Sequence, residues 1–289
     1  MHYEGNIFRP PSEANSILLQ VTTGCSHNKC TFCGMYKGSQ FSIKDDATIA
    51  ADIDFAARNC RGLSRLFLCD GDALIIPHQR LQGILGCIKE KLPWVNRVGT
   101  YANAKSILLK SVEQLEELRQ LGLTIAYLGL ESGDDTTLTT INKGATSADM
   151  IEAGNRLKEA GIKRSITVLL GIAGPDRSLI HARQTGRVLS EIDPEFVGVL
   201  SLMLTPNTPL YQAYQNGSFR LAGPYEMLRE LREMLAETKL SGGLFYANHA
   251  SNYLPIKARL PKGKSEALAQ IDAVLAGDAA IKPEYLRAL

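Results

Sequence analysis

Six short apolar runs alternate with longer helical patterns between residues 17 and 204, and this alternation limits the fold more than any other feature. The runs are ILLQVTT (17–23), RLFLCD (65–70), VNRVGTY (95–101), TIAYLGL (124–130), SITVLLG (165–171) and FVGVLSLML (196–204). They recur at roughly thirty-residue intervals, the spacing of βα units. Between them, Ile49, Ile53, Ala56 and Cys60 share one helical face, and Leu81, Leu85, Ile88 and Leu92 share another. SVEQLEELRQLG opens with Ser111 three residues before Gln114, which is a capping-box arrangement. It places Val112, Leu115, Leu118 and Leu121 on one stripe and stops at Gly122. Ser147 and Gly161 bracket the next helix in the same way. Strand, right-handed crossover helix and parallel strand in repetition predict an α/β fold, a partial (β/α)6 TIM-like barrel with fewer units than the closed form.

After residue 204 the pattern changes. TPNTP is a turn-rich loop, YEMLRELREMLAETKL (225–240) and SEALAQIDAVLAG (265–277) read as helices, and NHASNYLPIKARLP between them reads as loop. The expected division is an N-terminal arm at 1–16, a core barrel at 17–211 and a C-terminal helical and loop extension at 212–289. That extension is too short and loop-rich to hold much core alone, so it is expected to cap or flank the barrel.

With 289 residues and 45% hydrophobic side chains, the chain can bury a large core. Its net charge of +2, from 32 basic and 30 acidic residues, leaves no electrostatic footprint for nucleic acid. MHYEGNIFRPPSEAN lacks a secretory pattern, and no apolar run approaches a membrane span. A cytoplasmic setting is therefore expected, where thiols stay reduced and serve as ligands, catalysts or core residues.

Three of the six cysteines, Cys25, Cys30 and Cys33, stand together in VTTGCSHNKCTFCGMYK (21–37). Thiolates bind soft or borderline metals, and a closed structural zinc site needs four ligands. His27 could supply the fourth from inside the loop, which would make the chain a non-catalytic, zinc-bound barrel. Against this, Cys25 ends the first strand, where barrel folds carry catalytic groups, and a chain of this length needs no metal staple. Three thiols on one loop also suit a four-iron cluster with one iron left open, and an open coordination position implies chemistry.

Cys25, Cys30, Phe32 and Cys33, followed by the DGDA of Asp70 to Ala73, resemble the core of the radical S-adenosylmethionine (radical SAM) superfamily. LGLESGDDTTLTTINKG (128–144) is similar to the fourth-strand region of the tRNA methylthiotransferases, the Elongator catalytic subunit and the oxygen-independent coproporphyrinogen enzymes; the nitrogenase-cofactor enzymes belong to the same group. The resemblance spans residues 17 to about 211. It implies that Cys25, Cys30 and Cys33 hold a 4Fe-4S cluster whose open iron is chelated by S-adenosylmethionine. Reductive cleavage then gives methionine and a 5′-deoxyadenosyl radical, which abstracts hydrogen from a small or medium organic substrate. An electron donor such as flavodoxin or ferredoxin is implied as partner.

Carried over position by position, the resemblance sets Phe32 beside the adenine and Asp70, Gly71 and Asp72 around the ammonium of S-adenosylmethionine. It sets Glu131 on the ribose hydroxyls and Lys143 on the methionyl carboxylate, where relatives commonly carry arginine. Taken by themselves, DGDA also suits a plain turn and Lys143 a solvated helix end. The chain departs from the usual pattern in having four residues, not three, between Cys25 and Cys30.

Other positions stay open. Gly171 and Gly174 suit either close approach of a cofactor or a turn, and Thr167 stands where tetrapyrrole-modifying relatives carry aspartate. Cys60 and Cys87 lie within helical patterns and read as core, whereas Cys69 stands directly before DGDA; scattered singly, the three argue against an auxiliary cluster. Asn248, His249, Ser251, Asn252 and Tyr253 either line the barrel mouth, with His249 as proton carrier, or satisfy one another. Tetrapyrrole chemistry is the alternative within the radical class.

Overall fold

The computed structural model describes residues 1–288. The elements in chain order are β1 (Ile17–Gln20), β2 (Thr22–Thr23), β3 (Ser42–Ile43), α1 (Asp46–Asn59), β4 (Arg65–Cys69), α2 (His78–Lys91), β5 (Arg97–Ala102), α3 (Ala104–Leu108), α4 (Val112–Gln120) and β6 (Leu123–Glu131). They continue with α5 (Asp135–Thr140), α6 (Ser147–Glu159), β7 (Lys163–Leu170), α7 (Gly174–Ile192), β8 (Phe196–Ser201), α8 (Pro209–Gln215), α9 (Pro224–Glu237), β9 (Leu244–Ala247), β10 (Ile256–Arg259) and α10 (Lys264–Ala276). All six predicted strands are present. The chain packs as two units, the first made of Met1–Asn28, Met35–Leu128 and Glu152–Arg164, the second of Lys29–Gly34, Gly129–Ile151 and Ser165 onwards.

In the first unit β1, β4, β5 and β6 lie side by side, all parallel, with Leu19 opposite Leu68, Phe67 opposite Gly99 and Thr100 opposite Ala126. Their side chains are buried on both faces, which is why these strands read as continuous apolar runs. The helical stripes face inward as their spacing requires: Ile49, Ile53 and Ala56 on α1, Leu81, Leu85 and Ile88 on α2, and Leu115 and Leu118 on α4 are all buried. Ser111 and Gln114 form the reciprocal capping box expected of them.

The residues before β1 enter the same core. Glu13 is fully buried, paired with Arg97, and accepts hydrogen bonds from Ser16 and from the Tyr127 hydroxyl. A buried carboxylate persists only with such partners. Gly99 lies beside it, where a Cβ would stand at ordinary contact distance, 3.4 Å, from Glu13 Oε1 and more tightly, at 3.1 Å, against Ile125. Phe67, Tyr101 and Tyr127 pack edge to face beside it.

In the second unit β7, β8 and β9 run parallel and β10 antiparallel to β9, with Val168 opposite Val199, Val197 opposite Phe245, and Phe245 opposite Ala258. This corrects the helical-and-loop reading of residues 212–289. LFYA and IKAR are strands, and they extend the sheet sideways from β8. Four-residue alternations are too short to separate from loop by periodicity, and it is the open edge of β8 that makes strands of them.

Helices α7 and α9 approach unusually closely. A Cβ on Gly186 would come within 2.6 Å of the Glu237 Cβ and 2.9 Å of the Met234 carbonyl oxygen, and one on Gly133 within 2.5 Å of the Gln184 carbonyl oxygen. Gly186 is therefore a contact surface between helices, and Gly133 seats the end of β6 on α7. Among the described residues no helix is long and apolar enough to cross a membrane.

Replacing Gly186 with Val is expected to destabilise the protein by about 1–3 kcal/mol in urea unfolding, since backbone and Cβ atoms cannot move aside. Gly83→Ala is the counterpart. It lies within α2 with nothing near its missing Cβ, and is expected to raise stability by about 0.5–1 kcal/mol.

Candidate cofactor site

The cysteine loop leaves β1 through a narrow ribbon. Thr22 pairs with Ile43 and Thr23 with Ser42, and the Thr23 and Ser42 hydroxyls lie 2.8 Å apart, so residues 24–41 start and finish at one place. Gly24, at φ +72°, donates its N–H to Asp70 Oδ2 (3.0 Å) and accepts from the N–H of Gly71 (2.9 Å). Cys25 then lies flat on the turn after β4: a Cβ on Gly71 would stand 2.7 Å from the Cys25 Cβ and 3.1 Å from its sulfur. Only glycine gives that room.

The two aspartates of this turn act on the loop from beneath. Asp70 holds φ +70°, a conformation disfavoured for any residue but glycine, and its carboxylate accepts from Gln20 Nε2 (2.9 Å) as well as from Gly24. Its Oδ1 is buried without a partner. Burial pushes its carboxyl above the usual range, and the bonds from Gln20 and Gly24 offset part of that. Asp72 is fully buried and accepts from Ser26 Oγ (2.7 Å), Asn103 Nδ2 (2.6 Å) and Ser106 Oγ (2.7 Å). Burial raises its pKa to about 6 against the pull of those donors. Both side chains thus fix Gly24 to Ser26, the residues on either side of Cys25.

Asn103 and Ser106 were not among the expected site residues. They form the capping box of α3 directly after β5, and that NxxS spacing is the signal that could have marked them. The longer gap between the first two cysteines contains Asn28, which takes φ +43° and donates its amide to the carbonyl of Tyr36 at 2.8 Å.

Within the second unit the rest of the loop, Lys29–Gly34, is laced down. Thr31 donates its N–H to Ile141 O (2.9 Å) and accepts from Leu210 N–H (2.9 Å), while Asn142 and Asn207 side chains reach the carbonyls of Lys29 and Gly34 (both 3.2 Å). Phe32 is partly buried against Leu138, Ile141, Leu169, Ile172, Leu202 and Leu210. Glu131 ends β6 at φ +61°, and its Oε1 stands 3.0 Å from Lys143 Nζ, each side chain 12% exposed. A Cβ on Gly129 would lie 2.4 Å from that oxygen and 3.0 Å from Nζ, so Gly129 is what lets the pair fold back over the strand. It was missed in the sequence because its role is to be absent.

Burial alone would lower the Lys143 pKa, but the Glu131 carboxylate and the Cys30 and Cys33 thiols outweigh it and hold the ammonium above its ordinary range. Lys143 is therefore not a solvated helix-end lysine. A buried cation beside a carboxylate and two thiols is equipped to recognise a ligand that carries both a carboxylate and hydroxyl groups.

Other candidates separate cleanly. Cys69 is fully buried, its sulfur 3.5 Å from the Phe67 carbonyl, and burial pushes its thiol well above the usual range, so it is an inert core residue. Gly171 and Gly174 take φ +80° and +67°, a left-handed backbone that glycine adopts without strain. Ser251 and Asn252 are buried and bonded to Ser201 and Val199, Tyr253 bonds Glu284, and His249 bonds Ser251 at 2.9 Å. Most of these bonds tie the group to Ser201, Val199 and Glu284 rather than to itself. All six cysteines stand outside disulfides. Among the described residues no set of three or more His, Cys, Asp and Glu side chains is gathered as a metal cage, so the expected ligand set rests on the sequence.

A family model described as the Radical SAM superfamily matches residues 19–185. The heme chaperone HemW of Bacillus subtilis is 22% identical over 183 residues, 63% of this chain and 48% of that protein. The anaerobic magnesium-protoporphyrin IX monomethyl ester cyclase of Cereibacter sphaeroides is 23% identical over 208 residues, 72% of this chain and 33% of the cyclase. The chain thus spans less than half the length of either. Among solved structures, the radical S-adenosylmethionine methyltransferase TsrM of Kitasatospora setae, with cobalamin and a 4Fe-4S cluster bound, superposes with a TM-score of 0.57 at 18% identity. The match covers 72% of this chain and 41% of that one, and the shared fold is the partial TIM-like barrel expected.

Gly71→Ala is expected to dislodge Cys25, which alkylation under native conditions should report as faster labelling of that thiol than in the parent protein. The raised pKa of Asp72 makes a second prediction. A buried carboxyl that ionises only near pH 6 stabilises the fold below its unfolded pKa of about 4, and that contribution disappears as pH rises through about 6. Asp72→Asn should flatten this part of the stability profile between pH 4 and 7.

Proposed function

The chain belongs to the radical SAM superfamily, and from that premise we propose that it is an enzyme that binds S-adenosylmethionine at a 4Fe-4S cluster held by Cys25, Cys30 and Cys33. The observation that carries this reading is the Lys143–Glu131 pair, folded over Gly129 and largely shielded from solvent. The donors suit the group. All three cysteines stand outside disulfides and are part-buried, as thiolate ligands to an iron–sulfur cluster would be, and Asp70 carries a buried oxygen without a partner. When bound, the cluster supplies one-electron reductive cleavage of the sulfonium, yielding a 5′-deoxyadenosyl radical.

The protein's own residues bind and orient. Lys143 faces the methionyl carboxylate and Glu131 accepts from ribose hydroxyls. The Asp70–Gly71–Asp72 turn offers its backbone to the ammonium, with the two aspartate side chains keeping that turn rigid. Phe32 supplies an apolar wall on the adenine side. The substrate is a small or medium organic molecule and the electron donor a flavodoxin- or ferredoxin-like protein; the balanced charge argues against nucleic acid. This reading is favoured over a zinc-bound scaffold by the family match across the cysteine loop, DGDA and LGLES together.

Two relatives whose names concern heme and a magnesium porphyrin favour a second reading, in which the substrate or ligand is a tetrapyrrole. Anaerobic reconstitution with iron and sulfide separates these readings. The expected result is a protein with cluster absorbance that, given dithionite and S-adenosylmethionine, forms 5′-deoxyadenosine; Cys25→Ala, Cys30→Ala and Cys33→Ala should each abolish the absorbance. Tightly bound zinc with no 5′-deoxyadenosine would remove the main reading. A Soret shift on titration with heme or protoporphyrin would select the tetrapyrrole.

A further inference from the structure

His181 on α7 and Glu230 on α9 are fully buried. Glu230 Oε1 accepts the N–H of Gly171 (2.7 Å), its Oε2 accepts from Ser178 Oγ, and His181 Nε2 stands 3.3 Å from Oε1. On the other side of the ring, Ser132 Oγ lies 2.7 Å from His181 Nδ1 and itself accepts the N–H of Asp134 (3.0 Å). Thr185 Oγ1 accepts the N–H of Gly133 (2.8 Å).

Ser132 Oγ and His181 Nδ1 share a hydrogen bond whose direction depends on the ring's tautomer, and Nε2 faces Glu230 at 3.3 Å without forming a hydrogen bond to it. One buried carboxylate and the imidazole packed against it thus lie between the turn after β6, residues 132–134, which the ring bonds through Ser132, and the turn after β7, which the carboxylate bonds at Gly171. An apolar pair of the same volume would fill the space without the desolvation that a buried carboxylate costs. What an apolar pair cannot do is accept the backbone N–H of Gly171 or engage the Ser132 hydroxyl.

Glu131 immediately precedes this braced turn and holds φ +61°, a conformation that persists only where its surroundings enforce it. We propose that His181 and Glu230 are positioning residues for Glu131: by fixing Ser132–Asp134 and Gly171 they keep the end of β6 in the left-handed turn that folds Glu131 onto Lys143. Because Glu230 lies on α9, this makes part of the C-terminal extension a brace for the site. The functional side of the proposal rests on the reading of Glu131 as a contact to S-adenosylmethionine.

The test uses the full chain and two readouts, amide hydrogen exchange and equilibrium binding of S-adenosylmethionine to the reconstituted protein by calorimetry. His181→Leu is expected to speed exchange at residues 131–134 and at Gly171 by about tenfold or more while β1, β4 and β5 exchange as before. It should also weaken S-adenosylmethionine binding by about tenfold. His181→Asn, which restores a hydrogen-bonding partner for Ser132, should recover most of both effects. Glu230→Gln, a milder change, reads the same exchange if the leucine variant does not fold. Unchanged exchange at 131–134 overturns the proposal, as does faster exchange throughout the second unit with no recovery in the asparagine variant. If the parent protein binds no S-adenosylmethionine but the exchange responds as stated, the positioning role stands and the cofactor reading falls.

Discussion

Everything proposed for the cysteine loop depends on a reciprocal exchange of hydrogen bonds at its root. Gly24 gives its N–H to the Asp70 carboxylate and receives the N–H of Gly71. The exchange locks the exit from β1 to the exit from β4, two neighbours in a parallel sheet, at the one level where barrel folds place their chemistry. It also explains why an aspartate occupies a left-handed position that glycine would take more cheaply. A glycine at 70 would relieve the backbone but leave Gln20 Nε2 and the Gly24 N–H without their acceptor in a buried setting.

The same economy recurs at β6. Glu131 too is a carboxylate in the left-handed region at a strand end, and it too is made possible by a nearby glycine whose missing Cβ would collide with the working side chain. Gly71 makes room for Cys25 as Gly129 does for the Glu131–Lys143 pair. In each case strain in one residue is tolerated because neighbouring side chains and buried hydrogen bonds over-determine its conformation.

What could be read from the sequence follows from these facts. The parallel strands were legible because burial on both faces turns each into an apolar run, and the helices between them because only one face of each is buried. β9 and β10 were not, since four alternating residues carry no resolvable period, and what makes them strands is the edge they pair with. At the site, the residue types that bear charge or sulfur were legible and their supports were not. Asp72 is answered by Asn103 and Ser106, more than thirty residues away, and Glu131 is braced through Ser132 by a histidine on α7 that no local pattern distinguishes from a surface residue.

The burial of Glu13 bears on how the protein can be handled. With its carboxylate set against Arg97 and the Tyr127 hydroxyl above Gly99, the segment ahead of β1 is wired into the interior of the first unit as firmly as a strand. Trimming that segment would strip a part-exposed guanidinium and a buried phenol of their counterpart beside packed aromatic rings. A shortened chain would then differ from the parent in solubility and folding yield, and its loss of activity would say nothing about catalysis.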